Sequence, residues 1–317
     1  MSVETQRLDT SYRHEMMLYH GDDDFVARTS EFIRDGLTHD ETALTVVDAP
    51  KINWLRQSLD DDADRVFFAD MSEVGHNPAL IIQAWRDFVS AQSTNGIRLR
   101  GVGEPISSAR GADEIIECHA HESLLNLAFD GATPFWLLCP YDTSTLAADV
   151  VAHAASTHPY MFDNDEHRPS EAFRMPDAAG FEQPLPRPPG VVETFDFSAT
   201  SLHDLREFVF ARARAFGLTA DRAAELVLAA SEIATNSVTY GGRHGAASVW
   251  ADRDCFLCEI RDRGHITDPL VGRFRPNGGT LGGYGIWLAN HMCDLVQIRS
   301  TSAGTTVRLH ACSNPER

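Results

Sequence analysis

The chain reads as two α/β-type domains joined by a proline-rich segment, and three observations lead there. From Glu15 to His158, short apolar strands alternate with helical patterns, the signature of a mostly parallel sheet covered by helices on both faces. Asn164–Gly190 then loses all periodicity and carries six of the fifteen prolines. Beyond it, an edge strand and two helices come before the remaining strands and the chain closes on a hairpin, an α+β order.

In the first half the expected strands are Met16–Tyr19, Ala43–Val47, Val66–Phe68, Ile97–Val102 and Phe135–Cys139. The expected helices are Phe25–Gly36, Ile52–Leu59, Pro78–Ser93, Ala112–Phe129 and Ser144–Ala155. No G-x-x-x-x-G-K-[ST] occurs, so this half lacks the lysine loop that cradles a nucleoside triphosphate. Glu104 and Asp142 follow apolar runs at C-terminal strand ends, where open α/β sheets bind ligands. With Trp136 they form a candidate sensory site for a small-molecule effector. His119 and His121 lie two apart on a helix, about 200° around it, so they are poorly placed to share a metal.

The second domain is expected to open near Val191 with VVETFDF as an edge strand, followed by helix Leu202–Phe216, which Gly217 stops. His203 reads as a surface residue at the start of that helix. In Ala224–Gly241, the apolar residues Leu226, Val227, Ala230, Ile233 and Ala234 recur at helical spacing. Glu232 and Asn236, four apart, fall on one helix face. Cys255–Arg261 reads as a strand ending at Asp262-Arg263-Gly264. Gly282-Gly283-Tyr284-Gly285 opens an apolar helix, IWLANHMCDLV, and Val296–Arg299 and Thr305–His310 close the chain as strands.

The 317 residues suffice for two cores. A formal charge of −19 disfavours nucleic acid or an anionic membrane as partner, since both need clustered Lys and Arg. No apolar run approaches the roughly 20 residues of a spanning helix, and the polar N-terminus does not read as a signal peptide, so a cytoplasmic protein is expected. The six cysteines are scattered and read as free thiols in a reducing compartment. Cys255-x-x-Cys258 has the spacing of half a zinc site but no second pair nearby.

The ordered set of Glu232 and Asn236, Asp262-x-Gly264, the glycine loop and the final hairpin resembles the GHKL (Bergerat) ATP-binding sandwich. That is the ATPase domain of histidine kinases, gyrase-type enzymes and anti-sigma-factor serine kinases. Without a dimerisation hairpin, the RsbW-like anti-sigma serine kinases are the nearest likeness. The resemblance implies ATP and Mg²⁺ as cofactors, Glu232 as the base and Asn236 as the magnesium ligand. It implies Asp262, Gly264, Gly282, Gly283, Gly285 and Thr305 (or Thr306) around the nucleotide, and a lid over Pro269–Tyr284 from which Arg273 and Arg275 reach the phosphates. One departure is His265-Ile266, where the family often has a second glycine. The first half is similar to the MEDS sensory domain, a RecA-like fold without its phosphate loop. The residues carrying that likeness are His14-Glu15 with Leu18-Tyr19, Phe32-Ile33-x-x-Gly36-Leu37, Gly103-Glu104-Pro105, His121-Glu122 with Leu125-Asn126, and Cys139-Pro140-Tyr141-Asp142.

Together these imply a MEDS-like domain over 1–162, a linker over 163–190 and a GHKL serine kinase domain over 191–317. The expected activity is phosphorylation of a serine on an anti-sigma-factor antagonist, in the service of transcriptional and stress signalling. A sigma factor and a second copy of the chain are further expected partners. A non-catalytic ATP-binding switch and a sensor histidine kinase are the alternatives.

Overall fold

The computed structural model describes residues 12–92, 98–129, 133–163, 165–175, 183–188, 190–276 and 283–313. The chain divides into two compact units, Met1–Pro176 and Asp177–Arg317.

The first unit runs β1 (Arg13–Tyr19), α1 (Asp22–Thr38), β2 (Thr42–Val47), α2 (Ala49–Leu59), β3 (Val66–Asp70), α3 (Met71–Val74), α4 (Ile81–Gln92) and β4 (Leu99–Gly103). It continues with α5 (Ala112–Ala128), β5 (Phe135–Asp142), α6 (Ala148–Thr157), β6 (Tyr160–Asp163) and β7 (Glu166–Pro169). The sheet order is β3-β2-β4-β5-β1-β6-β7. Every pairing is parallel except the closing β6–β7 hairpin. The inner strands are buried on both faces, as helices on each side require: β4 is buried at all five positions, and β5 from Leu137 to Tyr141. Local signals start the helices where expected. The Asp48 carboxylate accepts the Lys51 N–H, and Pro50 stands in the first turn of α2. Helix α1 begins with Asp22, Asp23 and Asp24. Those charges complement the helix dipole and repel phosphate, in keeping with the missing lysine loop.

Residues 166–169, read from sequence as the start of the linker, form β7. The hairpin escaped the sequence reading because each strand is only four residues long and EHRP has no apolar alternation.

The second unit runs β8 (Glu193–Ser198), α7 (Leu202–Phe216), α8 (Ala220–Tyr240), β9 (His244–Asp252), β10 (Cys255–Asp262), α9 (Tyr284–Met292), β11 (Leu295–Thr301) and β12 (Gly304–Cys312). The antiparallel order is β11-β12-β10-β9-β8. Period-2 alternation sorts its side chains. Ala247, Val249, Phe256, Cys258, Ile260, Val307 and Leu309 join the core formed with Leu226, Ile233 and Ile286 of the helices. The alternate positions Glu259, Gln297, Arg299, Arg308 and His310 are buried as well. Glu259 receives two hydrogen bonds from Arg308, at 2.7 and 2.9 Å. The proline-rich segment lies over that polar face: Arg299 donates to the Gln183 carbonyl at 3.0 Å and Arg308 to that of Pro186 at 2.7 Å.

Helix α8 is capped by the Thr219 hydroxyl, which accepts the Arg222 N–H. Gly217 stops α7 at φ 116°. The apolar run after the glycine loop splits, with α9 ending at Met292 and Leu295 starting β11. Strand β9 was not read from sequence, because HGAASVWAD is dominated by small residues of low β-propensity.

Two cysteines correct the reading of six free thiols. Cys255 and Cys312 are joined by a disulfide, and the β10–β12 register sets them opposite each other. Cys258 faces the core instead, so the Cys-x-x-Cys pair holds nothing jointly. His203 is exposed and pairs with Glu207, one turn on. Among the described residues, no helix is long and apolar enough to cross a membrane.

Candidate functional site: the face shared by α8, α9 and the end of β10

Helix α8 presents Glu232 and Asn236, both half-buried, on one face, and Ser237 one residue further round. The start of α9 packs against that face. A Cβ on Gly285 would stand 3.0 Å from Glu232 Oε2 and 3.2 Å from Asn236 Nδ2. A side chain there would press on both, so the glycine lets the α9 backbone approach the two polar side chains closely. Gly283, at φ 86°, turns the chain into α9 and offers no side-chain cap, so the first N–H groups of the helix receive no side-chain partner from it.

Asp262, at the C-terminal end of β10, is held from two sides. Its Oδ2 accepts the Ser237 hydroxyl at 2.6 Å, and its Oδ1 accepts the Gly264 N–H at 2.6 Å. The Arg263 N–H donates to the Gly241 carbonyl, tying the ends of α8 and β10 together. Thr305 donates to the Gly264 carbonyl at 2.9 Å and lies 2.9 Å from the Ser300 hydroxyl. Ser300 in turn accepts the Ile266 N–H at 2.8 Å. Ile266 also packs against the core, so the position where a second glycine was expected is anchored rather than loosened.

The structure thus gathers Glu232, Asn236 and Gly285 at one contact, and Asp262, Gly264 and Thr305 in one hydrogen-bonded chain. Sequence reasoning missed Ser237 and Ser300. A serine beside Asn236 in the last turns of a helix is a poor helix former, and that was the available signal. Arg273, expected on a lid, is buried, and Arg275 lies over the Trp287 ring at 6.0 Å. The buried Asn290 of α9 clamps this loop through the Gly272 carbonyl at 3.0 Å. Gly282 and the centre of the expected lid fall outside the described residues. A separate cavity of about 580 Å³ opens between β8, the start of β9 and Arg261–Arg263. It touches Asp262 but none of Glu232, Asn236, Gly285 or Thr305, so it is not the region those residues enclose.

Two family models match the chain. One, described as the methanogen/methylotroph, DcmR sensory domain (MEDS), covers residues 13–159. The other, described as the histidine kinase-like ATPase domain, covers residues 195–311. The chain joins a MEDS domain to a histidine kinase-like ATPase domain. No curated protein gives a significant match. Among solved structures, the RsbU and RsbW domains of Rv1364c from Mycobacterium tuberculosis are 17% identical, with a TM-score of 0.30. The alignment covers 40% of this chain and 33% of that one, and at this TM-score the likeness carries no weight. The α8–α9–β10 face lies wholly within the ATPase domain.

In the MEDS domain Trp136 stands apart from Glu104 and Asp142, the other two residues expected at a sensory site, both of which lie beside Tyr19. Trp136 stands second in β5 and Asp142 ends it, six positions on, so the strand separates them by roughly 20 Å. The Trp136 indole N–H donates to Glu15, and Asp142 caps the following turn through Ser144 and Thr145. Glu104 sits instead with Tyr19 and Lys51: the phenol donates to Oε1 at 2.5 Å and the ammonium to Oε2 at 2.5 Å. Burial raises the Glu104 carboxyl to about 7, against the opposing pull of Lys51.

Proposed function

We propose that the ATPase domain binds ATP with Mg²⁺ and transfers the γ-phosphoryl group to a serine of an anti-sigma-factor antagonist. In this reading the MEDS domain controls the output, acting in a cytoplasmic protein that pairs with a second copy and can also hold a sigma factor. The observation that carries the reading is the Gly285 contact, where the backbone opening α9 lies directly on Glu232 and Asn236.

The residues fit a Mg²⁺–nucleotide. Asn236 offers a hard oxygen ligand, and the opening of α9 from Gly283 to Gly285 offers N–H groups to phosphate. Ser237 and Gly264 occupy two acceptor positions of the Asp262 carboxylate, and those remaining can accept from an adenine amino group. Thr305 fixes Gly264 beneath that carboxylate. The metal supplies neutralisation of charge on the phosphates. Glu232 accepts the proton of the attacking serine hydroxyl.

The anchored Ile266 hinge favours a second reading, a switch that binds ATP without transferring phosphate. Calorimetry of ATP binding with and without Mg²⁺ on the wild type and Asn236→Ala is the test. Magnesium-dependent binding that Asn236→Ala loses supports the site; no binding in the wild type sinks it. Loss of regulatory output in Glu232→Ala supports the kinase, whereas retained output supports the switch.

A further inference from the structure

Four buried side chains from four parts of the MEDS domain converge on one point: His14 of β1, Glu122 of α5, Cys139 of β5 and His158 just after α6. None is more than 2% exposed. One ligand atom from each lies within 4.8 Å of all the others. His14 Nε2 is 2.9 Å and His158 Nε2 3.3 Å from the same oxygen, Glu122 Oε2. Cys139 Sγ is 3.4 Å from His14 Nε2 and 3.5 Å from Glu122 Oε2.

The surrounding hydrogen bonds decide what these atoms offer. Asn126 Nδ2 donates to the Thr157 carbonyl at 2.8 Å, so its Oδ1, 3.2 Å from His14 Nδ1, is an acceptor. His158 Nδ1 lies 2.8 Å from the Ala154 carbonyl, which can only accept. As neutral imidazoles, both rings therefore carry their hydrogen on Nδ1 and turn the Nε2 lone pair toward the carboxylate. Among the described residues, His158 Nε2 and Glu122 Oε1 have no hydrogen-bond partner. In this tautomeric state the Cys139 thiol hydrogen is the only proton the four groups share, and it can satisfy one lone pair. Buried acceptors facing one another without donors are costly.

We infer that His14, Glu122, Cys139 and His158 form a binding site for a divalent transition-metal ion, with zinc the best fit. A cation at the centre satisfies all four groups at once. Tetrahedral Zn²⁺ with Zn–N and Zn–O near 2.0–2.1 Å and Zn–S near 2.3 Å requires ligand atoms roughly 3.3–3.6 Å apart. Three of the four separations above already fall at or near that spacing. Two imidazoles, a thiolate and one carboxylate suit a borderline-soft ion, not Mg²⁺ or Ca²⁺. Asn126 and the Ala154 carbonyl supply the outer hydrogen bonds that orient metal-bound imidazoles. With four protein ligands the site is closed, and the ion would tie the central strands β1 and β5 to α5 and to the turn after α6.

The test uses the full-length chain. Elemental analysis of the purified protein is expected to find zinc near one per chain, and stripped protein should take up Co²⁺ with the intense spectrum of a tetrahedral cobalt–thiolate. Cys139→Ser should abolish the sulfur-to-cobalt band. Asn126→Ala, which leaves all four ligands in place, should weaken Co²⁺ binding by roughly 10–100-fold. X-ray absorption at the zinc edge of the wild type needs no variant and should show one sulfur among nitrogen and oxygen neighbours. The site is overturned if folded, stripped wild-type protein gives no cobalt–thiolate spectrum, if the band survives in Cys139→Ser, or if the zinc shell holds no sulfur or more than one.

Discussion

Ser237 donates its hydroxyl to Asp262 at 2.6 Å, and that bond fixes the end of helix α8 to the end of strand β10. It sets the orientation of the carboxylate assigned to the adenine, with the Gly264 N–H holding the other oxygen.

Ser237→Ala removes a hydrogen bond to a charged, partly buried acceptor. The expected loss of stability is about 1.5–3 kcal/mol, by chemical denaturation of the full chain. Nucleotide affinity should fall with it by roughly tenfold, since 1.4 kcal/mol of lost orientation is a factor of ten. Unchanged stability would mean that the bond is not formed in solution.

The Cys255–Cys312 disulfide closes a span of 57 residues within one domain. On loop-closure entropy alone, such a link contributes up to about 4 kcal/mol. Reduction should therefore lower the melting temperature of the wild type, while Cys255→Ser melts at that lower temperature with or without reductant. Thiol titration of the unfolded, unreduced protein is the direct check, and only Cys118, Cys139, Cys258 and Cys293 should react.

Glu104 sets a pH dependence in the MEDS domain. Its carboxyl is raised from an ordinary 4.5 to about 7, chiefly by burial. Between those values the folded state holds a proton that the unfolded chain has released, so folding is favoured at the acidic end. That contribution fades as pH rises through about 7. Between about pH 4.5 and 7 the wild type should lose stability relative to Glu104→Gln as pH rises, and the difference should level off above about 7, as followed by melting. A difference between the two proteins that stays constant over that range would contradict the assignment.

The sequence by itself determined the architecture and named most of the residues gathered on the α8–α9–β10 face. Strand–helix alternation specified the parallel sheet, because helices on both faces force apolar runs of strand length. The spacing of Glu232 and Asn236 placed both on one face of a helix before any coordinates. These signals are local, carried by neighbours within one element. What the tertiary structure alone decided is long-range pairing. Cys255 meets Cys312 only through the β10–β12 register, and Ser237 meets Asp262 only where α8 crosses the sheet. Trp136 and Asp142, close in sequence, were parted by the length of the strand between them. His14, Glu122, Cys139 and His158 span 145 positions of the chain and look like ordinary polar residues one at a time. Only the parallel order that puts β1 beside β5, with α5 packed nearby, turns them into a cluster. Helical periodicity could place His119 and His121 on α5, but it could not show that Glu122 beside them faces a strand from the other end of the domain.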